Sequence, residues 1–112
     1  MKKPQTIVDI LRSARALLRR GNSWTKGSYA RTAHDRRVLL TSRNACKFCA
    51  AGAVYRVGGG LGRVLADRAI QHLHRAVGKK HERCVFTFND APTTRKRDVL
   101  ALFDRVIAKV AA

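Results

Sequence analysis

Four soft side chains stand at knuckle-like spacing in this chain: Cys46-x-x-Cys49 and, about thirty residues on, His81-x-x-Cys84. Two such pairs supply the ligand number that a closed tetrahedral zinc site requires. The first pair, however, falls within an apolar run and not on a glycine-rich knuckle, and free cysteines in such runs pack as small inert hydrophobes. The expectation is therefore no metal and no cofactor, with Cys46, Cys49, His81 and Cys84 as the set a metal would use. Thioredoxin-like redox chemistry lacks its usual frame, because strands and helices do not alternate. Acid–base or nucleophilic catalysis fares no better. His34 with Asp35, or Asp90 with His81, are pairings that folding could assemble, but no nucleophile has a recognisable neighbouring base, so no catalytic residue is assigned and no enzyme is expected.

Charge is the stronger signal. The 112 residues carry 24 Lys and Arg against seven acids, a net charge of +17, and Arg outnumbers Lys two to one. Such a balance opposes compaction by self-repulsion and points to an anionic partner, with nucleic acid first and an acidic protein or membrane surface second. Guanidinium forks match phosphate oxygens in a way that ammonium groups do not. The phosphate-contact candidates are Arg12, Arg15 and Arg19, then Arg31, Arg36 and Arg37, then Arg68 and Arg75, then Lys79, Lys80 and Arg83, and lastly Arg95, Lys96 and Arg97. DNA and RNA are equally compatible with them.

A single domain is expected from this length, with a modest core. Its centre is Asn44 to Val57, read as a helix with Thr41 or Ser42 as N-cap and three glycines, residues 58 to 60, as its stop. Ala45, Cys46, Cys49, Ala50, Gly52 and Ala53 are small enough for neighbouring helices to come close. Ahead of it, Thr6 to Arg20 is helical, with Thr6 and Asp9 spaced as a capping box. Its arginines at i, i+3 and i+7 make a basic stripe with few acids interleaved.

Residues 22 to 40 lose the helical period and read as an ordered loop with an extended piece at Arg37 to Leu40. Trp24 and Tyr29 are placed to stack on bases, although a Trp beside a helix end more often plugs the core. The run from Gly58 to Arg63 lacks a preceding strand and reads as a helix connection, not a phosphate loop. Arg63 to Val77 is a second amphipathic helix with Arg68, Gln71, His72 and Arg75 opposite its apolar stripe. Cys84 to Phe88 is β-rich and reads as a short strand, paired with Arg37 to Leu40. After a turn at 89 to 94, Arg95 to Val110 is the last helix, capped by Thr93 or Thr94 with Asp98 near its positive end. The basic cluster at 95 to 97 opposes that dipole and so reads as a binding feature. The fold class is thus mainly α, a bundle of three or four helices with at most a two-stranded β element.

Trp24-x-x-Gly27, the stretch from Ala30 to Val38, Cys49-Ala50-Ala51-Gly52-Ala53, Asn89-Asp90-Ala91-Pro92-x-Thr94 and the run from Val99 to Arg105 together resemble a family of small uncharacterised proteins of actinobacteria and their phages. The resemblance spans most of the chain. It implies a mostly helical domain in a bacterial or phage setting and carries no known activity or ligand. Phe88 stands where the family often has Trp, and the basic balance is unusual for it.

No stretch is apolar and long enough for a membrane span, and the N-terminal MKKPQT lacks an apolar signal region, so a cytoplasmic protein with reduced thiols and no membrane partner is expected. The function expected is a nucleic-acid-binding accessory protein encoded by a phage or mobile element. The alternative is a phage-type inhibitor or anti-defence protein that docks its basic face on an acidic host protein, a ribonucleoprotein or a nucleic-acid channel.

Overall fold

Five helices and one two-stranded ladder make up the computed structural model, which describes residues 6–112. They are α1 (Ile7–Arg19), β1 (Ala30–Arg31), β2 (Lys47–Phe48), α2 (Ala50–Val57), α3 (Val64–Ala76), α4 (Val85–Asp90) and α5 (Lys96–Ala111), with a 3-10 turn at Lys79–His81 before α4. The reading of residues 1 to 5 lies outside the described residues. The architecture is mainly α with a short antiparallel pair, as the sequence implies.

Periodicity explains the three long helices. Ile10, Leu11, Ala14 and Leu18 are buried on α1, Ala66, Ala69, Ile70 and Leu73 on α3, and Val99, Leu102, Phe103 and Val106 on α5. Each set recurs at three- and four-residue steps, which places it on one face of its helix. The faces of α1 and α3 pack against α2 and that of α5 against α1 and α3, in a single apolar cluster. Thr6 caps α1, its hydroxyl oxygen accepting from the Asp9 N–H at 3.0 Å.

The central helix is shorter than its sequence suggests. It starts at Ala50, and Cys49 caps it, with Sγ accepting from the Gly52 N–H at 3.2 Å; Thr41 and Ser42 lie far upstream of its first turn. The reason is non-local pairing of the two preceding residues. Phe48 donates to the Ser23 carbonyl at 2.7 Å and accepts from Thr25 at 3.0 Å, and on its other side it pairs with Ala30. Extended backbone held from both sides cannot wind into a helix. The ladder therefore joins Ala30–Arg31 to Lys47–Phe48, and the extended pairing predicted for Arg37 to Leu40 reduces to an isolated bridge between Arg31 and Arg37.

The predicted strand at Cys84 to Phe88 is the helix α4. Val85 and Asn89 are the residues it buries, four apart on one helical face. Burying both outweighs the strand preference of the Val-Phe-Thr-Phe run, which spans only ~1 kcal/mol. The first N–H of α4 finds an unusual partner, donating from Val85 to Nδ1 of His74 at 3.0 Å. At the start of α5 the cap is Arg95 and not either threonine; its N–H donates to the Asp98 carboxylate at 2.8 Å, so the expected role of Asp98 holds.

Gly52 marks the tightest approach in the core. A Cβ built there would stand 2.0 Å from the Tyr29 carbonyl oxygen, an atom that also accepts from the Cys49 N–H. Gly52→Ala should therefore destabilise by about 1–3 kcal/mol or more in urea unfolding, although alanine is the better helix former by about 1 kcal/mol. A neutral or stabilising result would show that the Tyr29 segment yields.

His74 sets a pH dependence. Burial lowers its pKa below the ordinary 6.5, because the charged ring loses water, and a protonated Nδ1 cannot accept from Val85. Folding thus favours the neutral ring. Its contribution is complete above the unfolded pKa and is lost as pH falls through the lower folded value. The melting temperature should fall on acidification below 6.5, and His74→Gln should flatten that part of the profile.

Candidate nucleic-acid interface

The α1 stripe survives folding as a surface. Arg12, Arg15, Arg19 and Arg20 border one open cleft of about 400 Å³. Arg12, Arg19 and Arg20 are exposed, whereas Arg15 is half-buried and committed. Its Nε and Nη2 donate to the two oxygens of Asp104 on α5 at 2.6 and 3.1 Å, a bidentate pair across the α1–α5 contact. With both side chains partly in water, such a pair contributes at most about 1 kcal/mol. Sequence spacing had Arg15 facing phosphate; its acid comes instead from another helix.

Lys96 is likewise half-buried and committed. Its Nζ donates to the carbonyls of Arg19, Arg20 and Gly21 at 3.0, 3.3 and 2.6 Å, where the carbonyls at the end of α1 have no partner within the helix. A cation that the α5 N-terminus disfavours is therefore favoured by the negative end of α1. The contact also carries the exposed Arg95 and Arg97 to the end of the α1 stripe, so two of the predicted clusters adjoin.

The other candidates divide. Arg31 is half-buried and holds its own loop, Nη1 donating to the Asp35 carbonyl at 2.8 Å. Arg36 and Arg37 are exposed, and Arg36 borders a separate cavity of about 660 Å³ with His34 and Cys46. Arg68 and Arg75 are exposed on α3, and Lys79, Lys80 and Arg83 are exposed around the 3-10 turn; they line neither cleft. Cys46, Cys49, His81 and Cys84 form no metal-binding group among the described residues. Extended β2 separates Cys46, which is exposed, from Cys49, which is buried, so the two do not share the one helix expected to hold both.

Most of the acids work inside the fold, which leaves the surface cations poorly matched. Asp104 holds Arg15, Asp98 caps α5, and Asp35 accepts from the buried Lys47 at 2.7 Å, a bond that lowers its pKa. Tyr55 is pushed up to about 12 by burial and then by Asp67 beside it.

Sequence reasoning missed one polar junction. Asn89 is 1 % exposed, and its amide is completely used. Oδ1 accepts from Trp24 Nε1 at 2.7 Å and from the Ala50 N–H at 2.9 Å, while Nδ2 donates to the Thr25 carbonyl at 3.1 Å and to Asp90 Oδ1 at 2.9 Å. Asp90 Oδ1 also accepts from the Gly27 N–H at 3.0 Å. Trp24 is therefore tied into the structure, with Lys26 over its ring at 5.5 Å, and does not present a stacking face in the way first considered. The signal was there in the spacing: Trp24-x-x-Gly27, Cys49 to Ala53 and Asn89-Asp90 meet at this point.

The molecule is thus a small, strongly basic α-helical domain with a buried amide junction. It belongs to a family of unknown function, DUF6197, whose profile matches residues 2–109. No curated protein and no solved structure matches the chain. Among the described residues no helix is long and apolar enough to cross a membrane.

Asn89→Ala would strand the Trp24 and Ala50 N–H groups and leave a void. The expected loss is at least about 2 kcal/mol in chemical denaturation, with Trp24 fluorescence changed in the folded state. An unaltered spectrum and midpoint would contradict the junction.

Proposed function

We propose that the protein binds nucleic acid through its phosphate backbone, using the outer face of α1. The observation that carries this reading is the cleft in which Arg12, Arg15, Arg19 and Arg20 converge, three of them exposed. Guanidinium forks at helical spacing can each take a phosphate oxygen pair, and Arg95 and Arg97 extend the positive strip beyond the end of α1. Backbone contact of this kind carries little sequence information. It suits an accessory protein of a phage or mobile element acting in the bacterial cytoplasm, the setting this reading assigns to the chain.

Fluorescence anisotropy with unrelated duplex DNA, single-stranded DNA and RNA tests the proposal. Binding should be clear at about 50 mM salt, and on duplex DNA log K should fall with log salt at a slope of about −0.9 per phosphate contact. The triple variant Arg12→Gln, Arg19→Gln, Arg20→Gln should weaken binding and flatten the slope without changing the circular dichroism spectrum. Arg15 is left intact so that the α1–α5 pair persists. Absence of binding at low salt would sink the proposal and favour an acidic protein as the partner. Undiminished binding by the triple variant would move the interface to Arg68, Arg75 and the 79–83 turn.

A further inference from the structure

Beside the Asn89 junction lies a cavity whose character differs from the rest of the surface. It measures about 280 Å³, and its lining contains Tyr29, Phe86, Cys49 and Asp90 but no Lys or Arg. The other described cavities are each bordered by arginine. In a chain of net charge +17 this pocket is the place where a carboxylate, and no cation, meets a concave apolar wall.

Its walls are aromatic. The Tyr29 and Phe86 rings stand 5.9 Å apart at 74°, and Tyr55 backs Tyr29 edge-on at 5.9 Å and 85°. Tyr29 and Phe86 are each 36 % exposed, unusual for rings set in a core contact, so both keep surface for a ligand. Asp90 is anchored through Oδ1 by the Gly27 N–H and the Asn89 amide, while Oδ2 accepts no hydrogen bond among the described residues. Asn89 has no capacity left. Cys49 adds neither charge nor nucleophile, since burial pushes its thiol up to about 11.

We propose that this cavity binds a small methylated ammonium ion, seated against the exposed parts of the Tyr29 and Phe86 rings with its charge against Asp90 Oδ2. Ring faces attract cations through their quadrupole, and walls set nearly at right angles let one cation meet two rings. A primary ammonium needs acceptors for three N–H donors. A methylated head makes no such demand and matches the apolar lining. The volume lies at the lower end of ligand sites, which suits a single head group and a short stem. Two cations stand behind the lining, Arg31 Nη2 3.4 Å from where a Cβ on Gly27 would sit and Lys26 Nζ donating to the Ala91 carbonyl at 2.6 Å; both are outside the lining itself, where Asp90 is the one charge, and more distant arginines are screened beyond about 8 Å at physiological ionic strength. This site does not depend on the α1 face.

Choline and its uncharged isostere 3,3-dimethyl-1-butanol separate charge from shape. Titrations followed by the Tyr29 and Phe86 ring resonances should give choline a Kd roughly tenfold lower than the alcohol. Asp90→Asn keeps an oxygen for Gly27 and should reduce choline to the level of the alcohol, whereas Phe86→Ala should weaken both. Nucleic-acid affinity, measured in parallel, should be unchanged by Asp90→Asn. Equal affinity of the two probes for the wild-type protein, or no shift of either ring, would overturn the proposal without touching the α1 reading. Saturable ring shifts from nucleosides, with none from choline, would overturn it in favour of a base pocket. Should Asp90→Asn fail to fold, the comparison of the two probes on the wild-type chain decides alone.

Discussion

The buried amide of Asn89 is the interaction on which the arrangement depends. One side chain fixes the Trp24–Thr25 segment, the first N–H of α2 and the adjoining Asp90, and it does so with every donor and acceptor engaged. A buried polar group of this kind is favourable only when complete, because each unpaired member costs more than a formed bond returns. Few side chains satisfy that demand. Aspartate would keep the two acceptor contacts but lose both donations and set a second carboxylate beside Asp90; leucine would match the volume and strand every partner. The junction therefore specifies geometry as much as it adds stability.

Its partners explain which parts of the fold were legible in the sequence. Helices α1, α3 and α5 have one apolar face each, so spacing alone places them within a residue or two of their ends. The start of α2, the ladder and α4 were misread because their causes are distant. Phe48 is extended on account of residues 23 to 25 and 30, and α4 is helical because Val85 and Asn89 both face inward. The same holds for the candidate interface. Helical spacing put Arg12, Arg15 and Arg19 on one face, but it could not show that Asp104, 89 residues away, takes Arg15, or that Lys96 reaches carbonyls 75 to 77 residues back.

Those internal uses also shape the electrostatics. Asp35, Asp98 and Asp104 are placed against particular partners, and Asp90 accepts two donors at the junction. Folding thus draws acids toward the scaffold and leaves most cations facing outward. Mutual repulsion of that shell opposes the compact state, and any anion that binds the folded form preferentially raises its stability by mass action.

Helix α4 is six residues long, shorter than helices that persist in water on their own. Its anchors arrive from His74, 11 residues before Val85, and from Trp24 and Thr25, 65 and 64 residues before Asn89. Closing a loop of that size has an entropic cost that must be met before the short helix returns anything. Helix α4 gives Val85 to the apolar cluster, with Phe88 packed against it, so its place rests on those contacts and on the Asn89 amide and not on its own helix propensity. The wall it gives to the aromatic cavity, through Val85, Phe86, Asn89 and Asp90, is therefore only as well placed as a tryptophan segment some sixty residues earlier makes it.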